Sequence, residues 1–380
     1  MRHSGILRIG FKLLVNDKAK FSALLIGITF AVFLMVQMTA MFAGILNRAS
    51  STVNNIGAPI WIIDPAVNTP TSSIPMPDYL LDAVRSIDGV EYAVPLFVSG
   101  AQLKLESGVI QPVNVIGLDD TSLYGRPALE QGNILDLFAD NSFVVVNDVE
   151  FPKLANPKIG TTFQLNDHRG VFVGIAKVNS NGLIGVPTLY TTFSRAKQYI
   201  PSTRFTISYV LAQVKSDAAI PVIKKEVAKL GYIALTSDEF KQRIANFYVY
   251  QTGVGMNILL MTVISFIVGL SISGQTFYTF ILENIDKFGA LKAIGAKGRE
   301  LIYMILFMAT FTSLTGYGLG IGLVTIVITA ARYRIPNYAA MITFWNLELA
   351  FGMVVLIAGI SSYFGVRKVL KIEPFDIFRG

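Results

Sequence analysis

The residues able to do chemistry in this chain are few and badly placed for it. There are two histidines, His3 and His168, and no cysteine among 380 residues. They lie on opposite sides of the first long apolar run, so no zinc constellation assembles from them. No G-x-x-x-x-G-K-[ST] occurs, so the chain has no P-loop to wrap a nucleotide phosphate and is not expected to hydrolyse ATP by that route. The stretch Leu270–Gln275, LSISGQ, imitates the LSGGQ signature of nucleotide-binding subunits. It sits inside an uncharged run, where small residues are read as helix packing, with Gln275 expected to face protein. No nucleophile, base and orienting group can be nominated by spacing, so a membrane enzyme is disfavoured.

The segment that stands out is KFGALKAIGAKGREL, residues 287–301, a charged, glycine-punctuated piece between two oily runs. Taken as a short helix over residues 283–296, it places Phe288, Leu291 and Ile294 on one stripe, with Lys292 and Lys297 elsewhere. Gly295 and Gly298 are positioned to end it and turn the chain. A short helix with an apolar stripe is suited to a partner's groove. The competing reading is a connector resting on lipid headgroups.

Elements able to hold such a segment follow from composition. Hydrophobic residues make up 52% of the chain, and four runs carry the signal: residues 21–46, 244–282, 301–331 and 341–366. At about 1.5 Å per residue, about 20 residues of helix cross a roughly 30 Å hydrocarbon core. The first run is too long for the 7–15-residue core of a cleaved leader, so it is expected to be retained. Between the first and second runs lies a stretch of soluble composition, residues 48–243. The expected fold is therefore an α-helical membrane protein with four spans and a large α+β domain between the first and second.

Orientation follows from Lys and Arg, which are retained on the cytoplasmic side of a membrane. Residues 1–20 hold five basic residues against one acid, residues 283–300 four against three, and residues 367–380 four against two. The stretch 48–243 is near neutral. Both termini are thus expected in the cytoplasm and the large domain outside. The basic balance is accounted for by these edges and needs no nucleic-acid partner.

Finer features are also legible. Residues 6–14 form an amphipathic arc with Arg8 and Lys12 opposite, suited to a helix on the membrane surface within residues 1–20. In the large domain, strand-like PIWIIDP is followed by a helix over 78–87 with Asp78 as expected N-cap, then by strands. A second strand, helix, strand series covers residues 207–237. Two such halves imply one split α/β subdomain, residues 52–117 and 205–240, with a β-rich insert, residues 118–204, turning at NSNG. In the third run, Gly316 with Gly320 and Gly318 with Gly322 permit close helix crossing, within one chain or between two copies.

E-x-x-x-x-x-G-x-L-K-A-I-G-A, from Glu283 to Ala296 and followed by an apolar helix, resembles the cytoplasmic loop of the FtsX/MacB-like ABC transporter permeases of the type VII, mechanotransmission superfamily. The basic start, LLIGITFAVFLMVQMTAMF and IGAPIWIIDP are most similar to the DevC-like branch. The resemblance implies a plasma-membrane (inner-membrane) permease subunit without catalysis or cofactor of its own, ATP-Mg being bound by a separate ATPase chain. It implies a homodimer, transmission of ATPase motion to a porter-plus-sabre periplasmic domain, and export of a lipid, glycolipid or other amphiphile with a periplasmic adaptor and an outer-membrane channel. It assigns Phe288, Gly289, Leu291, Ala293, Ile294 and Gly295 to the ATPase contact, with Glu283, Lys287 and Lys292 as polar edges. An FtsX-like scaffold controlling a cell-wall hydrolase and a lipoprotein-releasing permease share this topology.

Overall fold

A computed structural model describes residues 2–178, 185–200, 206–335 and 338–370. The NSNG turn and the tail beyond Leu370 lie outside the described residues. The chain forms two compact units, one from the stretches before Ile45 and after Gly253, the other Ile45–Gly253.

The chain opens with α1 (Arg2–Asn16), bends at Asp17, and continues as α2 (Lys18–Ala49). Asp17 makes the joint: its carboxylate accepts from the Lys20 N–H at 3.3 Å and pairs with the Lys20 ammonium at 3.0 Å. The hydrogen bond from Lys20 holds the Asp17 carboxyl below its ordinary value, against a smaller opposing effect of burial.

The second unit follows in chain order. It comprises α3 (Ser51–Ile56), β1 (Ile60–Ile63), β2 (Met76–Pro77), α4 (Tyr79–Arg85), β3 (Val90–Leu105) and β4 (Ile110–Leu118). Next come β5 (Leu129–Gly132), β6 (Ser142–Val146), β7 (Thr162–Leu165), β8 (His168–Ala176), β9 (Thr188–Thr192) and α5 (Phe193–Tyr199). It closes with β10 (Thr206–Ile207), β11 (Tyr209–Val214), α6 (Ile220–Lys229), β12 (Ile233–Thr236) and α7 (Ser237–Asn246). The large sheet runs β12-β1-β11-β3-β4-β9-β6-β8-β5, with β7 bridging β3 and β8.

The first four strands of that order, with crossovers α4 and α6, make a βαββαβ unit in the ferredoxin-like arrangement. Alternation along β1 explains its two faces. Ile60 and Ile62 join the core under α4 and α6, while Trp61 and Ile63 join the opposite core with Phe240 of α7. There the Trp61 ring meets Tyr209 at 5.6 Å and Phe240 at 5.5 Å. A third core, with Phe143, Phe163, Phe172 and Tyr199, fills the β-rich insert.

Two sequence expectations change here. The insert begins inside β3 rather than after residue 117, because β3 pairs with β11 up to Leu96 and with β4 from Phe97 onward. Asp78 precedes α4 but its side chain does not cap it; the carboxylate instead approaches the Lys197 ammonium at 3.5 Å.

The chain then forms α8 (Val254–Glu283), α9 (Ile285–Ala293), α10 (Gly298–Arg334) and α11 (Phe344–Leu370). Among the described residues, α2, α8, α10 and α11 are the four helices long and apolar enough to cross a membrane. The second of them starts at Val254, ten residues later than the uncharged run suggests. Ile244 is buried in the core of the second unit, a π-helical turn covers Phe247–Gln251, and Gly253 at φ 73° breaks the helix.

Several hydroxyls inside these helices are satisfied locally, as a hydrocarbon setting favours, whereas the buried hydroxyls of Thr29, Ser273 and Ser361 have no partner among the described residues. Thr39, Thr262, Ser265, Thr312, Thr315 and Ser362 each donate to the carbonyl four residues back. Helix α1 rests on α10: the Phe11 ring stands edge-on to Phe311 at 5.1 Å, and Leu14 is fully buried. Ile9 and Phe11 keep an exposed face.

Candidate functional site

The candidate site is α9 with its two ends, held between α8 and α10. Asn284 makes the joint with α8, its amide donating to the Phe280 carbonyl at 2.8 Å and accepting from the Lys287 ammonium at 2.7 Å. The other end closes as a Schellman motif. The Ala296 N–H reaches the Leu291 carbonyl at 3.0 Å and the Gly295 N–H reaches Lys292 at 3.1 Å. Gly295 takes φ 99°, a left-handed conformation that glycine adopts without penalty. Gly298 does not end α9; it starts α10, whose first turn is tied by the Lys297 N–H donating to the Glu300 carboxylate at 2.8 Å.

Within this frame the expected docking stripe divides. Phe288 is fully buried, in a cluster with Phe280, Ile281, Leu301, Met304 and Val369. Gly289 is buried beside it, and Leu291 is half-buried at the cluster's edge. Ile294, by contrast, is 85% exposed, with Ala290, Ala293 and Gly295 exposed around it. The reason is geometric: three residues advance a helix about 300°, so each step along such a stripe swings about 60° backward. Two steps carry it from the inside at Phe288 to the outside at Ile294.

Of the polar edges, Glu283 pairs with Lys20 at the start of α2. Lys287 folds onto Asn284, and the Lys292 ammonium lies 3.5 Å from the Leu370 carbonyl. The surface left open is the C-terminal end of α9, where exposed Lys297 and Arg299 flank Ile294. Phe288 and Gly289 therefore hold α9 to its own unit rather than face outward, and Ala290 joins the open surface without having been singled out in the sequence.

The glycines of α10 also divide in two. A Cβ at Gly316 would fall 2.7 Å from Ile28 Cγ2, and one at Gly320 2.7 Å from Val32 Cβ. These two let α2 and α10 touch. Gly318 and Gly322 have nothing within 4 Å. Gln275 is exposed on α8, not turned into protein as expected; the buried polar residue of that stretch is Ser273. His168 packs its ring against Tyr199 at 5.0 Å.

Comparison with known proteins covers nearly the whole chain. Residues 22–230 match the MacB-like periplasmic core domain, and residues 258–374 match the FtsX-like permease C-terminal region. An ABC transporter permease of Mycobacterium tuberculosis is 23% identical over 355 residues, covering 91% of this chain and 93% of that one. The macrolide export ATP-binding/permease protein MacB of Psychrobacter cryohalolentis is 22% identical over 269 residues, covering 68% of this chain and 39% of that protein. The solved periplasmic region of MacB from Actinobacillus actinomycetemcomitans covers 51% of this chain at 16% identity with a TM-score of 0.38.

Proposed function

Because this chain belongs to the MacB-like periplasmic core domain family and is an ABC transporter permease of the MacB/FtsX type, we propose that it is the membrane subunit of an exporter driven by a separate ATPase. The observation that carries the reading is the tiling of two family matches along one chain, with α9 inside the second.

In this reading the ATPase binds and hydrolyses ATP-Mg and pushes on the exposed end of α9. Phe288 is fixed among α8, α10 and α11 residues, so a push at Ile294 is delivered to the helices instead of being absorbed by a loose loop. The last residues of α2, Ile45–Ala49, belong to the outer unit, so the first route between units is helical, while the second runs from α7 through the π-helical turn at Phe247–Gln251 and the break at Gly253 into α8.

The basic segments 1–20, 283–300 and 367–380 support an orientation with both termini and α9 on the cytoplasmic side and the outer unit in the periplasm. A second copy completes the transporter, with the open Gly318 and Gly322 face of α10 as its candidate seam. Its cargo is a lipid or other amphiphile, passed to a periplasmic adaptor and an outer-membrane channel.

Gentle detergent purification of the tagged chain from its native membrane, with identification of what co-purifies, tests this. An ATPase with an adaptor supports the exporter. An ATPase with a cell-wall hydrolase and no adaptor replaces it with a signalling role, and no ATPase at all removes the proposal.

A further inference from the structure

A cavity of about 510 Å³ opens in the outer unit, a volume within the range of small-molecule sites. Its floor is the β3/β4 hairpin where Gln102 stands across from Pro112, and β9, where Thr188 pairs with Asn114. Its walls include Ala49, at the end of α2, and Tyr248, in the turn before α8. These are the points through which the chain enters and leaves the unit. No Asp, Glu, Lys, Arg or His is among the described residues that line it.

The polar groups of the lining are amides and hydroxyls. Asn166 is committed, accepting from the Gln102 N–H at 3.3 Å and donating to the Tyr199 carbonyl at 3.2 Å. The side-chain amides of Gln102 and Asn114 make no hydrogen bond among the described residues. Thr188 is fully buried, and its hydroxyl has no partner among the described residues. A buried hydroxyl left unpaired is destabilising, and native structures rarely leave one without a purpose.

Each amide offers both donors and an acceptor, and a threonine hydroxyl does both at once. The complementary guest carries mixed donors and acceptors too, as hydroxyl groups do. A charged guest would lose its hydration here and find no counter-charge. We propose that this cavity binds the uncharged, hydroxyl-bearing part of the molecule the permease moves, with Gln102, Asn114 and Thr188 as its hydrogen-bond partners. The assignment of the guest as cargo rests on the exporter reading. A guest seated there touches Ala49 and Tyr248, so movement at either end of the unit alters its walls.

The cysteine-free sequence permits a clean test. Thr71→Cys puts one thiol at the exposed rim of the cavity, in the full-length chain in nanodiscs. The rate of its modification by an uncharged maleimide is measured with hexyl glucoside or hexyl sulfate, both below micellar concentration. Several-fold protection by the glucoside and none by the sulfate is expected. No protection by the glucoside, or equal protection by both, overturns the proposal.

Thr188→Val, made in the same background, should raise the half-protecting glucoside concentration about tenfold, as loss of one hydrogen bond implies. Thermal unfolding without guest should be unchanged or higher, since the hydroxyl has no partner to lose. A fall in unfolding temperature would show the hydroxyl to be structural and overturn its assignment. Recovery of the ATPase is scored on the same preparations. ATPase present without glucoside protection sinks the cavity and leaves the permease standing; absence of an ATPase sinks the exporter reading on which the cargo assignment depends.

Discussion

Ile294→Asp and Phe288→Ala, made one at a time, should produce opposite profiles. Ile294 is 85% exposed, and burying an isoleucine side chain is worth about 1.5–3 kcal/mol. Docking it into a groove on the ATPase would therefore contribute about 2 kcal/mol. Aspartate forfeits that contribution and leaves a carboxylate against an apolar wall, at a further cost of several kcal/mol. A combined loss of at least about 4 kcal/mol weakens ATPase binding about a thousandfold or more, at roughly 1.4 kcal/mol per decade. The fold should not notice, since exposed substitutions stay within about 0.5 kcal/mol. Phe288 is fully buried, so its truncation should remove about 3–5 kcal/mol of stability. The assay pairs two readouts on purified chain in nanodiscs: ATPase retained on the tagged chain, and the thermal unfolding midpoint. Retention of the ATPase by Ile294→Asp would refute docking at that end of α9. A midpoint lowered as far by Ile294→Asp as by Phe288→Ala would show Ile294 to be structural instead.

Gly320→Leu must push a side chain into Val32 Cβ, 2.7 Å from the ideal Cβ, and the Thr29 carbonyl, 3.0 Å away; overpacking of this kind costs about 1–3 kcal/mol or more. Gly318→Leu meets nothing within 4 Å, so it should unfold like wild type while losing dimer in native mass spectrometry; a stable dimer in that variant excludes this face as the seam. Asp119 supplies a pH dependence. Burial raises its pKa, but hydrogen bonds from the side chains and backbone of Thr121 and Ser122 outweigh it and hold the carboxyl below the ordinary 3.8. A depressed native value stabilises the fold fully above the unfolded value, and the contribution is lost as pH falls through the native value. Asp119→Asn should lower the unfolding midpoint at pH 7 and flatten its decline below pH 3.8; an unchanged acid limb would show that Asp119 does not govern it.

The four apolar helices and the α/β unit between the first two were legible because run length and composition survive without tertiary context. So was the split character of that unit, since strand-helix-strand series recur at both ends of it. What escaped the sequence depended on three-dimensional choices. Ile244 is as apolar as any span residue yet serves a soluble core, and nothing in the run marks Gly253 as the break. The insert could not be traced to the middle of β3, because one continuous strand serves both halves of the sheet. Phe288, Leu291 and Ile294 read as one stripe, but a three-residue spacing drifts around a helix, and only the packing of α9 in the cluster it shares with α8, α10 and α11 decides which end is hidden. The glycines of α10 were visible as a group, while their division into a packed pair and an open pair required the position of α2.

The most direct test of force transmission is a photoactivatable crosslinker attached to Ile294→Cys, the chain's sole thiol, in cells expressing the chain at native level. Irradiation followed by identification of the conjugate should recover an ABC ATPase, with far less recovered from Phe288→Cys in the buried cluster. Conjugates to lipid alone from position 294, with no ATPase at any level, would contradict the claim that this helix end receives the ATPase.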